Sequence, residues 1–456
     1  MSDSAYQDFL TNKRFSVCES GFDANTTSRC WSVMFDYQKD IIKWACRRGK
    51  SAIFADTGLG KSLMQLTWAD QVAKHTGRRV LIVAPLAVSF QFITEAEKFG
   101  IKAGKAGSDC MIHVINYEQL HKINANEYAG VALDESSILK GMDGKLRKMI
   151  TETFKRTAYK LSCTATPSPN DFVELGTQAE FLGIMSQTEM LAMFFIHDGS
   201  DTSKWRLKGH GRKKFFEWLS TWAVFISKPS DLGYEDSSHH LPELVYHEHV
   251  IDSGIKDGLF APIAQGLKDR NAARKTTVGG RVALAAEIVN AIDDQCVVWC
   301  HLNDEADQLA DLIQGAVEVR GSDDPDHKAH SMIGFAKGEV QRLVTKPKIA
   351  GFGMNWQSCN QMVFVGLSDS WEQFYQAVRR CWRFGQTRPV HVHIISADIE
   401  GGVVANIKHK EQINQHLKLE MIEVMKDKTL TQLGKAAQEK SEYTNVVKME
   451  IPKWLA

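Results

Sequence analysis

Lys61 and Ser62 follow a glycine-rich turn, Asp56-Thr57-Gly58-Leu59-Gly60, which closes a short apolar run (SAIFADTGLGKS, residues 51–62) and opens a helical pattern, LMQLTWADQVAK. Gly58 and Gly60 can adopt backbone angles that other residues resist, so the turn can aim its N–H groups inward around phosphate oxygens. Lys61 would then reach the outer phosphates of a nucleotide, and the Ser62 hydroxyl would hold Mg²⁺. Ala55 stands where such loops often carry their first glycine. Taken alone, residues 56–62 suit kinases, small GTPases, transporters and motors equally.

Two further groups can do chemistry. Asp134 and Glu135 end the apolar run GVALDE (130–135). Asp134 would help to hold Mg²⁺, mostly through water, and Glu135 would polarise an attacking water. An acidic pair can also simply cap a strand, but its place downstream of a phosphate loop favours catalysis. In WEQFYQAVRRCWRFGQ (371–386), Gln376, Arg380 and Arg383 lie at i, i+4 and i+7 and share one face of an expected helix. Guanidinium groups delivered to a γ-phosphate by a second body are arginine fingers, worth roughly 10³–10⁵ in rate. ATP held between two lobes would draw them together, and its hydrolysis would release them. Upstream, Gln38 precedes the helix DIIKWACRRG. Its amide offers a donor and an acceptor that could read adenine; a surface glutamine at a helix start would look the same.

The elements that must position these groups are short strands alternating with helices. SAIFA, VLIVAP (80–85), MIHVINY (111–117), GVALDE and YKLSCTAT (159–166) give a five-strand parallel α/β plan, with ligands expected beyond the strand C-termini. Residues 171–230 read as an α-helical insertion rich in aromatics. Inside it, KWRLKGHGRKK (204–214), including Lys213 and Lys214, suits either a phosphate backbone or a solvated loop. Residues 231–250 read as a linker whose His239, His240, His247 and His249 are surface residues. A second α/β unit follows with CVVWC (296–300), AVEVRG (316–321), VQRLVT (340–345), QMVFVG (361–366) and VHVHIIS (390–396). The expected organisation is an arm (1–34), a first lobe (35–170), the insertion, the linker, a second lobe (251–430) and a tail (431–456).

The 456 residues carry a formal net charge of zero, with 43% hydrophobic and 24% charged residues. That balance is globular and announces no global field for a nucleic acid, so any such surface is local. No apolar run reaches membrane-spanning length, and the polar N-terminus shows no secretory segment. Nine scattered cysteines point to a reducing compartment, so a cytoplasmic location is expected. Cys296, Cys300 and His301 lack a second ligand pair nearby, so a strand is preferred there to a zinc site.

Collinear motifs from about residue 35 to about residue 430 resemble the SNF2-like branch of superfamily 2 helicase-type ATPases: YQ (37–38), ADTGLGKS (55–62), LIVAP with Glu95, NYEQL (116–120), LDESSILK (133–140), TATPSPND (164–171), RGSD (320–323), AGFGMN (350–355) and QAVRRCWRFGQ (376–386). The compact wording is similar to forms carried by bacteriophages. The resemblance implies two RecA-like parallel-sheet lobes in tandem with an α-helical insertion of the SNF2 type. It implies ATP and Mg²⁺ as cofactors, DNA as partner with duplex favoured, association with replication or recombination proteins, and no membrane. It also implies roles: Gln38 on adenine; Lys61 and Ser62 on phosphates and Mg²⁺; Asp134 and Glu135 as catalytic pair; Thr164 and Thr166 coupling the ATP site to nucleic acid; Gly353 and Gln376 sensing nucleotide and lobe closure; Arg380 and Arg383 as fingers; Asn355 near nucleic acid. Ser137 replaces a histidine common in relatives, and Pro347 replaces a Ser or Thr. The expected function is an ATP-dependent DNA translocase whose ATPase is stimulated by DNA. A strand-separating DNA or RNA helicase and a non-catalytic ATP-switch scaffold are the rivals; a P-loop kinase would not need residues 376–386.

Overall fold

The computed structural model describes residues 19–140, 144–169, 171–198, 201–236, 241–253, 274–350, 355–368 and 370–433. Gly353, His239, His240, most of the arm and nearly all of the tail lie outside the described residues.

The first lobe is a seven-stranded sheet in the order β3-β4-β2-β5-β6-β1-β9, formed by β1 (Lys50–Ala55), β2 (Arg79–Ala84), β3 (Ala103–Lys105), β4 (Ile112–Asn116), β5 (Tyr128–Asp134), β6 (Tyr159–Thr164) and β9 (Ala223–Ile226). Every pairing in it is parallel. Apolar clusters cover both faces, so the central strands are continuous apolar runs and not alternating ones. The order sets β5, β6 and β1 side by side. Their C-terminal ends therefore bring Asp134, Thr164 and the glycine turn to one edge.

The second lobe is a six-stranded sheet, again all parallel, in the order β10-β15-β14-β11-β13-β12. Its strands are β10 (Leu244–Ile251), β11 (Cys296–Trp299), β12 (Ala316–Val319), β13 (Arg342–Thr345), β14 (Gln361–Val365) and β15 (Val390–Ala397). The protein thus has two RecA-like parallel-sheet lobes in tandem.

Three strands differ from the sequence expectation. β3 is only three residues long. β9 lies in a stretch read as helix, yet Ala223–Ile226 pairs with β1. β10 falls in the expected linker and forms the edge of the second sheet along eight residues of β15. The insertion also holds an antiparallel hairpin, β7 (Phe195–Asp198) with β8 (Asp201–Leu207), between the helices Gln187–Phe194 and Arg212–Ser220.

The last described helix, Gly401–Gln432, joins the lobes. Val403, Val404 and Ile407 enter the core of the second lobe. Met421, Ile422 and Met425 enter that of the first. Each such side chain contributes about 1.5–3 kcal/mol when fully buried, so the helix is held at both ends. Trp44 Nε1 adds a hydrogen bond to Gln432 Oε1 at 3.1 Å.

β10 and β15 carry a ladder of histidines on one face. His247 Nε2 lies 3.0 Å from His391 Nδ1, and His249 Nε2 lies 3.1 Å from His393 Nδ1. Burial, then His247, His249 and His391, push His393 down from the usual 6.5 to about 4. The folded ring is therefore neutral where the unfolded ring begins to bind a proton. Its contribution to stability is complete above pH 6.5 and is lost as pH falls toward about 4. Urea unfolding between pH 7.5 and 4.5 should show a smaller acid loss for His393→Asn than for the wild type; parallel losses would contradict this.

Candidate nucleotide site between the lobes

The glycine turn is fastened from several sides. Asp56 N donates to Ile226 O of β9 at 2.9 Å. The Leu59 carbonyl accepts from Tyr37 OH at 3.0 Å and Gln38 Nε2 at 2.9 Å. Gln38 Oε1 accepts from Phe35 N at 3.0 Å, so Gln38, 3% exposed, spends its amide on the protein and not on a surface. Gly58 (φ +91°) and Gly60 (φ +76°) adopt the left-handed backbone their type allows. A Cβ on Gly60 would stand 2.3 Å from Gln38 Nε2, and one on Gly58 would stand 3.1 Å from Phe384 N of the second lobe. The missing side chains thus let both Gln38 and the second lobe approach the turn.

Lys61 and Ser62 open the helix Lys61–Thr76. Lys61 Nζ donates to Ala55 O at 2.8 Å and Asp56 O at 3.2 Å, bending over the turn. Burial lowers its pKa, against the pull of Glu135, Asp134 and Asp56. Gln65, three residues beyond Ser62 on the same helix face, donates Nε2 to Asp134 Oδ1 at 2.7 Å. That face is therefore turned to the acidic pair.

Burial, then the charge of Glu135, pushes the Asp134 carboxyl up to about 7. Glu135 (φ +49°) is the only non-glycine with positive φ among the described residues, a conformation that costs about 1–3 kcal/mol and concentrates at functional sites. Glu135 Oε2 accepts from Thr164 Oγ1 at 3.2 Å and, at a long 3.5 Å, from Gln376 Nε2 of the second lobe.

The helix Trp371–Val378 carries that lobe's contribution. It stops earlier than the sequence suggests. Arg380 N and Cys381 N bond back to Ala377 O and Val378 O, while Arg380 O accepts from Trp356 N at 2.9 Å. Arg380 and Arg383 therefore sit in turns and not on the same helix face as Gln376. The Arg380 guanidinium bonds to Gln376 O and Oε1, both at 3.0 Å. Its pKa is lowered by burial, against the pull of Glu135 and Asp134. Arg383 is pushed down to about 10, by burial and then by Arg380.

Glu372 is a residue sequence reasoning missed, although Glu372, Gln376 and Arg380 fall at fourfold spacing. It accepts from Thr166 Oγ1 at 3.2 Å and from Lys140 Nζ. Thr164 and Thr166 are both buried. Their hydroxyls serve Glu135 and Glu372, so the structure places them as links to the acidic pair and to the second lobe. Asn355 borders an interlobe cavity of about 1180 Å³ together with Glu95, Glu135 and Lys348. Pro347 opens the short helix Pro347–Ala350, a position that suits proline.

The basic stretch is not one loop. Trp205 lies in β8 with its ring 3.8 Å from His197. Lys208 Nζ donates to Ala192 O and Met193 O, and Arg212 pairs with Glu420. Lys213 and Lys214 are exposed. Cys296 and Cys300 are buried free thiols. No cluster of three or more His, Cys, Asp or Glu able to hold a metal occurs among the described residues.

Residues 281–385 match the family model described as helicase conserved C-terminal domain. The uncharacterized ATP-dependent helicase YqhH of Bacillus subtilis (strain 168) is 21% identical over 403 residues, covering 76% of this chain and 72% of that protein. The solved Sulfolobus solfataricus SWI2/SNF2 ATPase core in complex with dsDNA is 17% identical, with 90% of this chain and 99% of that one covered and a TM-score of 0.43. The two-lobe fold stands on the sheets themselves. The sequence matches make residues 281–385 similar to a helicase C-terminal domain and a longer stretch similar to an ATP-dependent helicase.

Gln38→Ala should leave the Phe35 N–H and one of the Leu59 carbonyl's bonds unmade, at a cost of about 1–3 kcal/mol. Urea unfolding without nucleotide checks this; a loss seen only in the presence of nucleotide would assign Gln38 to the ligand instead.

Proposed function

We propose that the chain is an ATP-dependent DNA translocase, a helicase-like motor of the SNF2-like kind that hydrolyses ATP between its lobes while tracking along duplex DNA. The observation that carries this reading is Glu135, held by Thr164 of the first lobe and faced by Gln376 of the second. A site completed by two bodies can convert hydrolysis into relative movement; a site confined to one lobe cannot do so directly.

The parts suit ATP and Mg²⁺. Gly58 and Gly60 leave side chains out of the turn where a cradle needs none, and Lys61, Ser62 and Asp134 supply an ammonium, a hydroxyl and a carboxylate. Ser62 and Asp134 would hold Mg²⁺, which neutralises charge on the outer phosphates when bound. Glu135 orients the attacking water and takes up its proton. Burial, then the charge of Arg380, depresses the basicity of Arg383, and burial depresses that of Arg380; a polyphosphate beside them relieves that cost. Their charge would stabilise the transferred phosphoryl group. Gln376 ties Arg380 to Glu135 and so to lobe position.

DNA as partner rests on the motif resemblance and on exposed basic residues such as Lys213 and Lys214. Phosphate contacts carry little sequence information, so target choice should be weak. The resemblance also suggests phage or bacterial DNA metabolism, in the cytoplasm, alongside replication or recombination proteins. The β7–β8 hairpin favours a second reading, strand separation, which release of a labelled strand from a forked duplex would reveal.

Glu135→Gln should reduce ATP turnover by about 10²–10⁴-fold while nucleotide binding persists; unchanged turnover would end the motor reading. ATPase stimulation by duplex DNA should fall steeply between 50 and 200 mM salt, roughly as expected for several phosphate contacts. Stimulation that is absent or insensitive to salt would remove DNA tracking.

A further inference from the structure

Asp56 opens the phosphate loop, yet its carboxylate is claimed from outside its own lobe. Oδ1 accepts from Thr57 N at 3.0 Å and from Tyr375 OH of the second lobe. Oδ2 accepts from Lys418 Nζ at 2.7 Å, on the C-terminal helix 362 residues downstream, and faces Arg379 Nη2 at 3.8 Å. Burial would raise the carboxyl's pKa, but Lys418 and then Arg379 hold it well below the usual carboxylate range. Asp56 is therefore a charged group inside a loop that has to accept a polyanion. An uncompensated carboxylate there would repel phosphates through a medium of low effective dielectric.

The compensation comes mainly from Lys418. Arg379 is farther from Asp56 and lies over the rings of Tyr375 and Trp382, at 5.2 and 4.3 Å from their centroids. It also serves Glu411, whose carboxyl it draws down against burial. Lys418 stands on the helix that is anchored in both lobes, one turn before Met421 and Ile422 enter the first lobe's core. A cavity of about 510 Å³ borders Asp56, Tyr375, Arg379 and Lys418, so these side chains have room to part without disturbing either sheet.

We propose that Lys418 is a positioning residue for the nucleotide site: by neutralising and orienting Asp56 it makes the phosphate loop accept a polyphosphate, so that docking of the C-terminal helix on the first lobe sets nucleotide affinity. This rests on the ATP-site reading above and deepens it. It also gives the Asp56 side chain a part that the loop pattern does not convey. The Thr57 N–H, which begins the cradle, is oriented by the same carboxylate.

The test uses the full chain and reads the dissociation constant of a fluorescent ADP analogue beside kcat and KM for ATP. Lys418→Met keeps the apolar stem and removes the charge. It should weaken ADP binding and raise KM by about tenfold, with a smaller change in kcat, and more strongly at low salt. Lys418→Arg should bind within about threefold of the wild type. The decisive variant is Asp56→Asn with Lys418→Met, which removes the stranded carboxylate and should restore binding to within about threefold of the wild type. A double variant as weak as Lys418→Met would mean that the lysine matters only for packing and would overturn the proposal. Lys418→Met that binds like the wild type would overturn it too, leaving the ATP site intact. Wild-type protein that binds no nucleotide would overturn the ATP-site reading itself.

Discussion

A carboxylate buried in a glycine turn between two lobes has to be matched by positive charge, and Asp56 finds that match in parts of the chain far downstream. Lys418 and Arg379 come from the C-terminal helix and the second lobe, so the loop's electrostatics depend on how the two lobes are joined. The neighbouring geometry follows the same pattern. Gly58 lies against Phe384, and Phe35, which caps the helix before β1, meets Phe384 edge-on at 6.4 Å. The turn is thus compressed between lobes, and its missing side chains are an interlobe requirement.

The acidic pair repeats this arrangement on the other side of the loop. Asp134 is tied to the helix Lys61–Thr76 through Gln65, while Glu135 reaches Thr164 and, across the gap, Gln376. Glu372, one turn before Gln376, receives Thr166 and Lys140. One short helix of the second lobe therefore touches the glycine turn through Tyr375, the acidic strand end through Gln376, and the segment after β6 through Glu372. A small rotation of that helix alters all three contacts together.

Much of the architecture was legible because fully buried parallel strands are written as apolar runs. VLIVAP, GVALDE and CVVWC need no context. The strands that escaped are those whose sequences carry another signal. Ala223–Ile226 follows an aromatic helix without a breaker, and only its hydrogen bonds to β1 make it a strand. Leu244–Ile251 sets His247, Glu248 and His249 in succession between apolar ends and is at most half-buried along its length, and so resembles a polar linker. Its histidines acquire meaning only when β15 sets His391 and His393 beside them. In the same way, the basic stretch 204–214 reads as one patch, while folding assigns Lys208 to helix carbonyls and Arg212 to Glu420.

The sequence by itself determined the glycine turn, the adjacent carboxylates and the polar residues of the segment 376–386, because each is defined by residue types at short spacing. It also determined that there are two α/β units. Tertiary structure alone decided that Gln38 braces the loop through Leu59, that the helix carrying Gln376 ends before Arg380, and that Asp56 answers to Lys418. These depend on which buried polar group lies nearest once the chain is packed, and contacts between residues 21 apart, as Gln38 and Leu59, or 362 apart, as Asp56 and Lys418, leave no periodic trace for a sequence reader to follow.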